Sequence, residues 1–375
     1  MTTANPLRVL LVSPAPVAGT VQYAHNLASH LGRRGHDVAM LTGLGCELAP
    51  YAHDYRMVQA IDRLKPHPAK WMELLRVLCT LRPQIIHYQG GQHPDLLYLL
   101  DIALRSVTPA RHARAVYTPQ ELQSNNRRSW HNPALRRFWK RLSYAFFNSE
   151  ENRVMSRDVL GLDVTDSMVS TVPDLLEFLR RDVVARPAPV PAGRKLALCI
   201  GLIETRKGIP TLIKSFPKVA AALPDAHLAI VGKPMMDIEP LRAAIAEQGL
   251  GERVSLVPEY VDFESMAGWF ERAEVIVLPY EYGWNSGVIP VAFGYGKPVI
   301  ATRIASAGEI VEDGRNGLLV EPAEPDGLAA AMVRILGDDA ARAAMQPHID
   351  ATAARLGWDT LTTQTEQVYR NVLAG

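Results

Sequence analysis

Apolar and polar positions along this chain fall into two successive series of strand-like and helix-like segments. Residues 7–13 (LRVLLVS) form a nearly unbroken apolar run, as expected of a strand covered on both faces. A loop rich in Pro, Ala and Gly (PAPVAG) follows, and then Tyr23, Leu27 and Leu31 recur at a spacing of four. That spacing predicts a helix over residues 20–35 with one buried stripe. Further strands are expected over residues 37–42, 83–88 (PQIIHY) and 115–118, each ending in polar residues. Strands that alternate with helices imply a parallel sheet with ligand loops along one edge.

The series is interrupted at residues 186–194 (RPAPVPAGR), whose prolines fit neither a helix interior nor a central strand. The segment reads as an extended linker. A second series starts at Lys195, with apolar runs at 197–200, 226–231, 254–257, 274–278 and 298–302, and residues 358–373 carry helical spacing. The expected division is a first domain over 1–185, a linker over 186–194, a second domain over 195–357 and a terminal helix over 358–375. The expected class is α/β, with two doubly wound Rossmann-like domains.

The richest stretch is residues 277–302 (VLPYEYGWNSGVIPVAFGYGKPVIAT), which reads strand, loop, helix, strand. Its loop lies at the carboxyl end of a strand, where open α/β sheets place ligands. Asn285, Ser286, Gly287 and Val288 sit where a helix start presents unpaired N–H groups to an anion. The other reading of Asn-Ser-Gly is a plain helix cap. Residues 197–208 (ALCIGLIETRKG) form a similar strand-to-loop unit with Arg206 and Lys207 at its tip, and 226–232 is a strand ending in Gly232.

Together these segments resemble the donor half of the retaining nucleotide-sugar glycosyltransferases of family 4, which have the GT-B fold. The matching stretches are GLIETRKG, the strand ending in Gly232, Arg253-Val254 leading to Val261, LPY followed by GKPVIAT, and EIVEDGRNGLLV at residues 309–320. The resemblance is close in the second half and looser in the first. It implies two domains facing across a cleft, with the last helix crossing back to the first domain. It also implies a nucleotide diphosphate-sugar as donor and no metal.

Carried over by position, Lys207 meets the diphosphate, and Arg206 stands in for an arginine usually found where this chain has Leu202. Both residues also fit a solvated loop tip. Glu259, Tyr260 and Val261 are candidates for holding the base; packing is the alternative for Tyr260. Gly19, within Ala18-Gly19-Thr20, occupies the family's glycine-rich loop. Gln120 replaces a histidine that often touches the donor sugar, and glutamine cannot act as a base near neutral pH. The two glutamates of the usual E-x7-E pattern are replaced by Gly283 and Val291. Glu281 is the nearest carboxylate, either a sugar contact or a solvated residue. His87 points to the same edge of the first domain or is a buried structural histidine.

Bulk properties narrow the remainder. A length of 375 residues with 48% hydrophobic content suits two domains, and a net charge of +1 argues against a nucleic-acid partner. Three scattered cysteines, Cys46, Cys79 and Cys199, form neither a zinc spacing nor a disulfide framework. No D-x-D pattern of metal ligands occurs, so no cofactor is expected. The start MTTANP lacks the pattern of a secretory signal, and no apolar run spans a membrane. A cytoplasmic protein is expected. Residues 127–144 mix Arg127, Arg128, Arg136, Arg137, Lys140 and Arg141 with Trp130, Phe138, Trp139 and Tyr144. They read either as a foot on the inner membrane face, suiting a lipid-linked acceptor, or as a core-facing helix with solvated cations.

The leading expectation is therefore a metal-independent, retaining hexosyl- or related glycosyltransferase. Its acceptor would be the hydroxyl of a sugar, a lipid-linked molecule or a small molecule. Gln120, Arg206 and Lys207 are its catalytic candidates. Two alternatives are a nucleotide-sugar-binding protein with lost or altered activity, which the missing glutamates favour, and a sugar-nucleotide epimerase on a similar scaffold.

Overall fold

A computed structural model describes residues 5–62, 65–66, 68–90, 94–106, 108–119, 133–282, 286–304 and 307–375. The chain divides into two units, Met1–Leu175 with Trp358–Gly375, and Leu176–Gly357.

The first unit contains β1 (Arg8–Ser13), α1 (Gly19–Arg33), β2 (Asp37–Gly43), β3 (Arg56–Asp62), β4 (Lys65–Pro66), α2 (Pro68–Leu81), β5 (Ile85–Gln89), α3 (Pro94–Ser106), β6 (Arg114–Thr118), α4 (Pro133–Trp139), β7 (Tyr144–Phe147), α5 (Glu150–Asp158) and β8 (Ser167–Val169). Its sheet runs β4-β3-β2-β1-β5-β6-β7-β8 and is parallel except for the short β4. Residues 9–13 of β1 are all buried, as its unbroken apolar run predicts. Tyr23, Leu27 and Leu31 of α1 are buried as expected, but so is every residue from Tyr23 to Leu31, so this part of the helix is enclosed on all sides and not along one stripe.

The second unit contains α6 (Glu177–Asp182), β9 (Lys195–Ile200), α7 (Ile209–Ala222), β10 (Ala226–Val231), α8 (Glu239–Glu247), β11 (Val254–Val257), α9 (Phe263–Arg272), β12 (Val275–Leu278), α10 (Val288–Gly294), β13 (Val299–Thr302), α11 (Ala307–Ile310), β14 (Gly317–Val320), α12 (Pro325–Gly337) and α13 (Asp339–Arg355). Its parallel sheet runs β11-β10-β9-β12-β13-β14, the doubly wound order of a dinucleotide-type fold. Helix α9 starts on a true cap, with the Asp262 carboxylate accepting from Ser265 N at 2.8 Å.

The last helix, α14 (Trp358–Ala374), belongs to the first unit and packs on α1. Trp358 is fully enclosed there: its indole N–H donates to Asp174 O at 2.7 Å and its ring meets Tyr23 edge-on at 5.1 Å.

The boundary falls earlier than the proline-rich stretch suggests. Phe178 of α6 packs edge-on against Phe263 at 5.0 Å, so the residues just after Leu175 join the second unit. The stretch at 186–194 is also anchored at its start, where Arg186 N donates to Glu264 O and the guanidinium pairs with Asp262 at 2.9 Å. Gly268 of α9 lets the Arg186 carbonyl approach to where a Cβ would stand 1.8 Å away. Proline content marks extended backbone here, and extended backbone can lie against a helix as well as span a gap. Among the described residues no helix is long and apolar enough to cross a membrane.

Candidate active site

In the second unit, the chain leaves β9 toward β10 and β11, and later returns on the other side with β12. The loops after β9 and β12 therefore flank the switch point, where such sheets form a ligand crevice. They are fastened together by Glu281 N donating to Arg206 O at 2.9 Å. Gly208 has φ 62°, and a Cβ there would stand 1.9 Å from the Pro279 carbonyl oxygen. Only glycine allows that approach. Gly232, at the end of β10, is held as closely, with the Gly201 carbonyl oxygen 1.9 Å from an added Cβ.

Three polar side chains meet between these loops. Lys207 is 7% exposed and Tyr280 is 6% exposed. The Lys207 ammonium donates to the Tyr280 hydroxyl, which lies 3.2 Å from Ser286 Oγ. The ammonium also stands 4.0 Å from the centre of the Tyr280 ring, with the Arg206 guanidinium carbon 5.5 Å from it, so the ring face is shared by two cations. Arg206 pairs with Glu204 at 2.6 Å. Beneath them, burial pushes the Cys199 thiol up to about 11, so it carries no thiolate at neutral pH. The arrangement concentrates positive charge and hydroxyl donors at one place on the sheet edge, which suits phosphate.

The other expected residues spread from this centre. Gly287 caps α10 without a side-chain bond, and Val288 N faces Ser286 Oγ at 3.4 Å. The Glu281 carboxylate accepts from Thr211 Oγ1 at 3.2 Å, which turns it toward α7. Glu259 and Tyr260 are exposed and Val261 packs on the core. They follow the edge strand β11, two strands from β9 and so roughly 10 Å from the switch point. Asn285 and Gln120 lie outside the described residues. Among the described residues no group of three or more His, Cys, Asp and Glu is placed to hold a metal.

In the first unit the switch point lies between β1 and β5. Gly19 opens α1 there, and a Cβ on it would stand 3.3 Å from Leu175. The preceding Ala18 takes φ 71° and donates through its N–H to Glu47 at 2.8 Å. His87 is structural: it is fully buried, its Nδ1 contacts the Tyr369 hydroxyl at 2.6 Å and its Nε2 contacts Thr118 Oγ1 at 2.7 Å. Burial holds its imidazole at about 3, so it is neutral. In the basic segment, Phe138 and Trp139 are buried while Arg136, Arg137 and Lys140 are exposed, and Arg141 is half-buried and paired with Asp101. Arg127, Arg128 and Trp130 lie outside the described residues.

Tyr280 was not singled out by the sequence, where it reads as the polar end of an apolar strand. Its partner Lys207 is distant in the chain, and only the strand order brings the two together.

Both halves of the chain match family models: residues 17–173 match Glycosyltransferase Family 4 and residues 194–338 match Glycosyl transferases group 1. Among curated relatives, a phosphatidyl-myo-inositol mannosyltransferase from Mycolicibacterium smegmatis is 31% identical over 45% of this chain and 43% of its own length. The chain thus spans less than half of that relative. A glycogen synthase from Mycobacterium tuberculosis is 24% identical over 97% of this chain and 94% of the enzyme. Among solved structures, Anabaena Alr3699/HepE in complex with UDP superposes with a TM-score of 0.70 at 15% identity, covering 97% of this chain and 100% of that one. With two Rossmann-like sheets and these matches across both, the chain belongs to the family 4-like glycosyltransferases of the GT-B fold.

Proposed function

We propose that this protein is a retaining, metal-independent transferase that moves a sugar from a nucleotide diphosphate-sugar to an acceptor hydroxyl. The observation that carries this reading is the cluster of Lys207, Tyr280 and Ser286 at the switch point of the second unit, with Arg206 beside it. Lys207 and Arg206 bring the fixed positive charge that a diphosphate requires. A charge-assisted contact of this kind contributes roughly 1.5–3 kcal/mol. The solved relative that carries UDP and the sugar-transferring relatives support a nucleotide-sugar as donor.

In the proposed reaction the bond between the anomeric carbon and the phosphate oxygen breaks. The acceptor oxygen bonds to that carbon on the same face, and its proton passes to the departing phosphate. Charge grows on that phosphate during transfer, so preorganised donors stabilise the transition state more than the bound donor. Lys207 and the Ser286 hydroxyl supply such donors and Arg206 adds charge, which is the role a divalent ion plays elsewhere. Sugar-orienting roles for Gly19 and Gln120, and base contacts from Glu259 to Val261, belong to the same proposal. So does a peripheral contact with an anionic membrane, carried by the exposed charges of Arg136, Arg137 and Lys140.

The test is a panel of UDP-, GDP- and ADP-sugars with sugar, lipid and small-molecule acceptors, run in excess EDTA. Free nucleotide released only when donor and acceptor are both present is the expected result. Recovery of activity only on adding magnesium would contradict metal independence. Donor binding without release under any pairing would favour the binding-protein reading.

A further inference from the structure

Tyr280 is buried, touched by both cations of the site, and fixed through its backbone, since its carbonyl accepts from Thr302 Oγ1 at 2.6 Å. Its hydroxyl has two polar neighbours, the Lys207 ammonium and Ser286 Oγ. Counting donors fixes the two outer contacts of this hydrogen-bond chain. An ammonium can only donate, so Tyr280 accepts in the first contact. A backbone N–H can only donate, so Ser286 Oγ accepts from Val288 N at 3.4 Å. A phenol oxygen that receives an ammonium proton becomes the stronger donor of the pair, because chained hydrogen bonds polarise one another. Either oxygen could donate across the 3.2 Å contact, and this polarisation favours Tyr280 as donor to Ser286. The serine oxygen then holds two incoming donors, and its own hydrogen is left over on a half-buried side chain.

We propose that Tyr280 is a positioning residue that fixes the Lys207 ammonium and turns the Ser286 hydroxyl outward, so that one diphosphate receives both. The proposal rests on the donor-site reading above and adds the requirement for a hydroxyl at position 280. The Tyr280 ring alone, which two cations share, does not meet that requirement. Ser286 is the final donor of the relay, and Tyr280 acts through its two neighbours.

The test is calorimetric binding of UDP, GDP, ADP and inorganic pyrophosphate to the wild type, Lys207→Ala, Tyr280→Phe, Ser286→Ala and the Lys207→Ala/Tyr280→Phe double variant. Tyr280→Phe and Ser286→Ala are each expected to weaken binding by about five- to tenfold, the loss typical of one hydrogen bond. Tyr280→Phe should add little once Lys207 is gone. A second readout is the nitrogen–proton NMR signal of the Lys207 ammonium, visible when the group is held. It should be present in the wild type and lost in Tyr280→Phe at unchanged melting temperature. Wild-type affinity in Tyr280→Phe, or its full loss added again in the double variant, would overturn the positioning role. Unchanged binding in Ser286→Ala would overturn the relay. A wild type that binds none of the four ligands would overturn the donor-site reading and the relay with it.

Discussion

The His87 imidazole and the Tyr369 hydroxyl meet at 2.6 Å inside the first unit, joining a central strand to the last helix of the chain. Gln89 Nε2 stands 3.1 Å from His87 Nε2 and Thr118 contacts the same nitrogen, so both ring positions are engaged by neutral partners. Charging the ring would bury an uncompensated cation.

Stability should therefore fall on acidification in a defined window. Burial lowers the His87 pKa from 6.5 to about 3, whereas the unfolded chain takes the proton near 6.5. The unfolded state binds more protons between those values, so the contribution is complete above 6.5 and is lost as pH falls toward 3. The slope is about 1.4 kcal/mol per pH unit. Urea unfolding at pH 7 and pH 5 should show the wild type losing roughly 2 kcal/mol more than His87→Gln. Equal losses in the two proteins would remove His87 as the cause.

Much of this architecture was legible from periodicity. The apolar runs located β1, β2, β5 and β6 of the first sheet and β9 to β13 of the second; β3, β4, β7, β8 and β14 are short or more polar and were not anticipated. The spacing of Tyr23, Leu27 and Leu31 located α1, because strand and helix periods are local properties. The motif GLIETRKG located Lys207 and Arg206 at a loop tip for the same reason. Strand order is not local, and so the Lys207–Tyr280 contact was hidden. The partner of Glu281, a threonine on α7, was also hidden, as was the anchoring of Arg186 on α9. For His87 the buried reading holds, since its neighbours come from β6 and from α14 at the far end of the chain.

The last helix should be integral to the first unit. Trp358 fills an enclosed place beside Tyr23 and donates to Asp174 O. Trp358→Ala is expected to destabilise that unit by about 3–5 kcal/mol, as large-to-small changes in cores do. Chemical denaturation followed by circular dichroism reads this directly. A loss below about 1 kcal/mol would mean the helix is an accessory.

Gly208→Ala should damage the site without touching a charge. The added Cβ would overlap the Pro279 carbonyl at a backbone φ of 62°, so the two loops must separate. Strain of this kind costs roughly 1–3 kcal/mol. Pyrophosphate affinity is expected to drop about tenfold or more, with a smaller decrease in melting temperature. Wild-type affinity would show that the loop apposition is not required.

Membrane attachment, if it depends on the basic segment, should be electrostatic. Phe138 and Trp139 are buried and Arg141 is paired with Asp101, so Arg136, Arg137 and Lys140 carry what attraction the described part of this segment supplies. Each such cation contributes about 1 kcal/mol near an anionic surface. Sedimentation with phosphatidylserine vesicles should occur at low salt, vanish at high salt, and be lost when the three are replaced by Gln. A wild type that stays in the supernatant at low salt would exclude this contact.

The central claim is that the diphosphate of a sugar nucleotide binds between the loops after β9 and β12. A crystal structure with a bound nucleoside diphosphate tests it most directly. The account predicts phosphate oxygens within hydrogen-bonding reach, about 2.7–3.2 Å, of Lys207 Nζ and Ser286 Oγ. Phosphates bound at the opposite edge of that sheet, for example beside Lys297 at the start of β13, would contradict it.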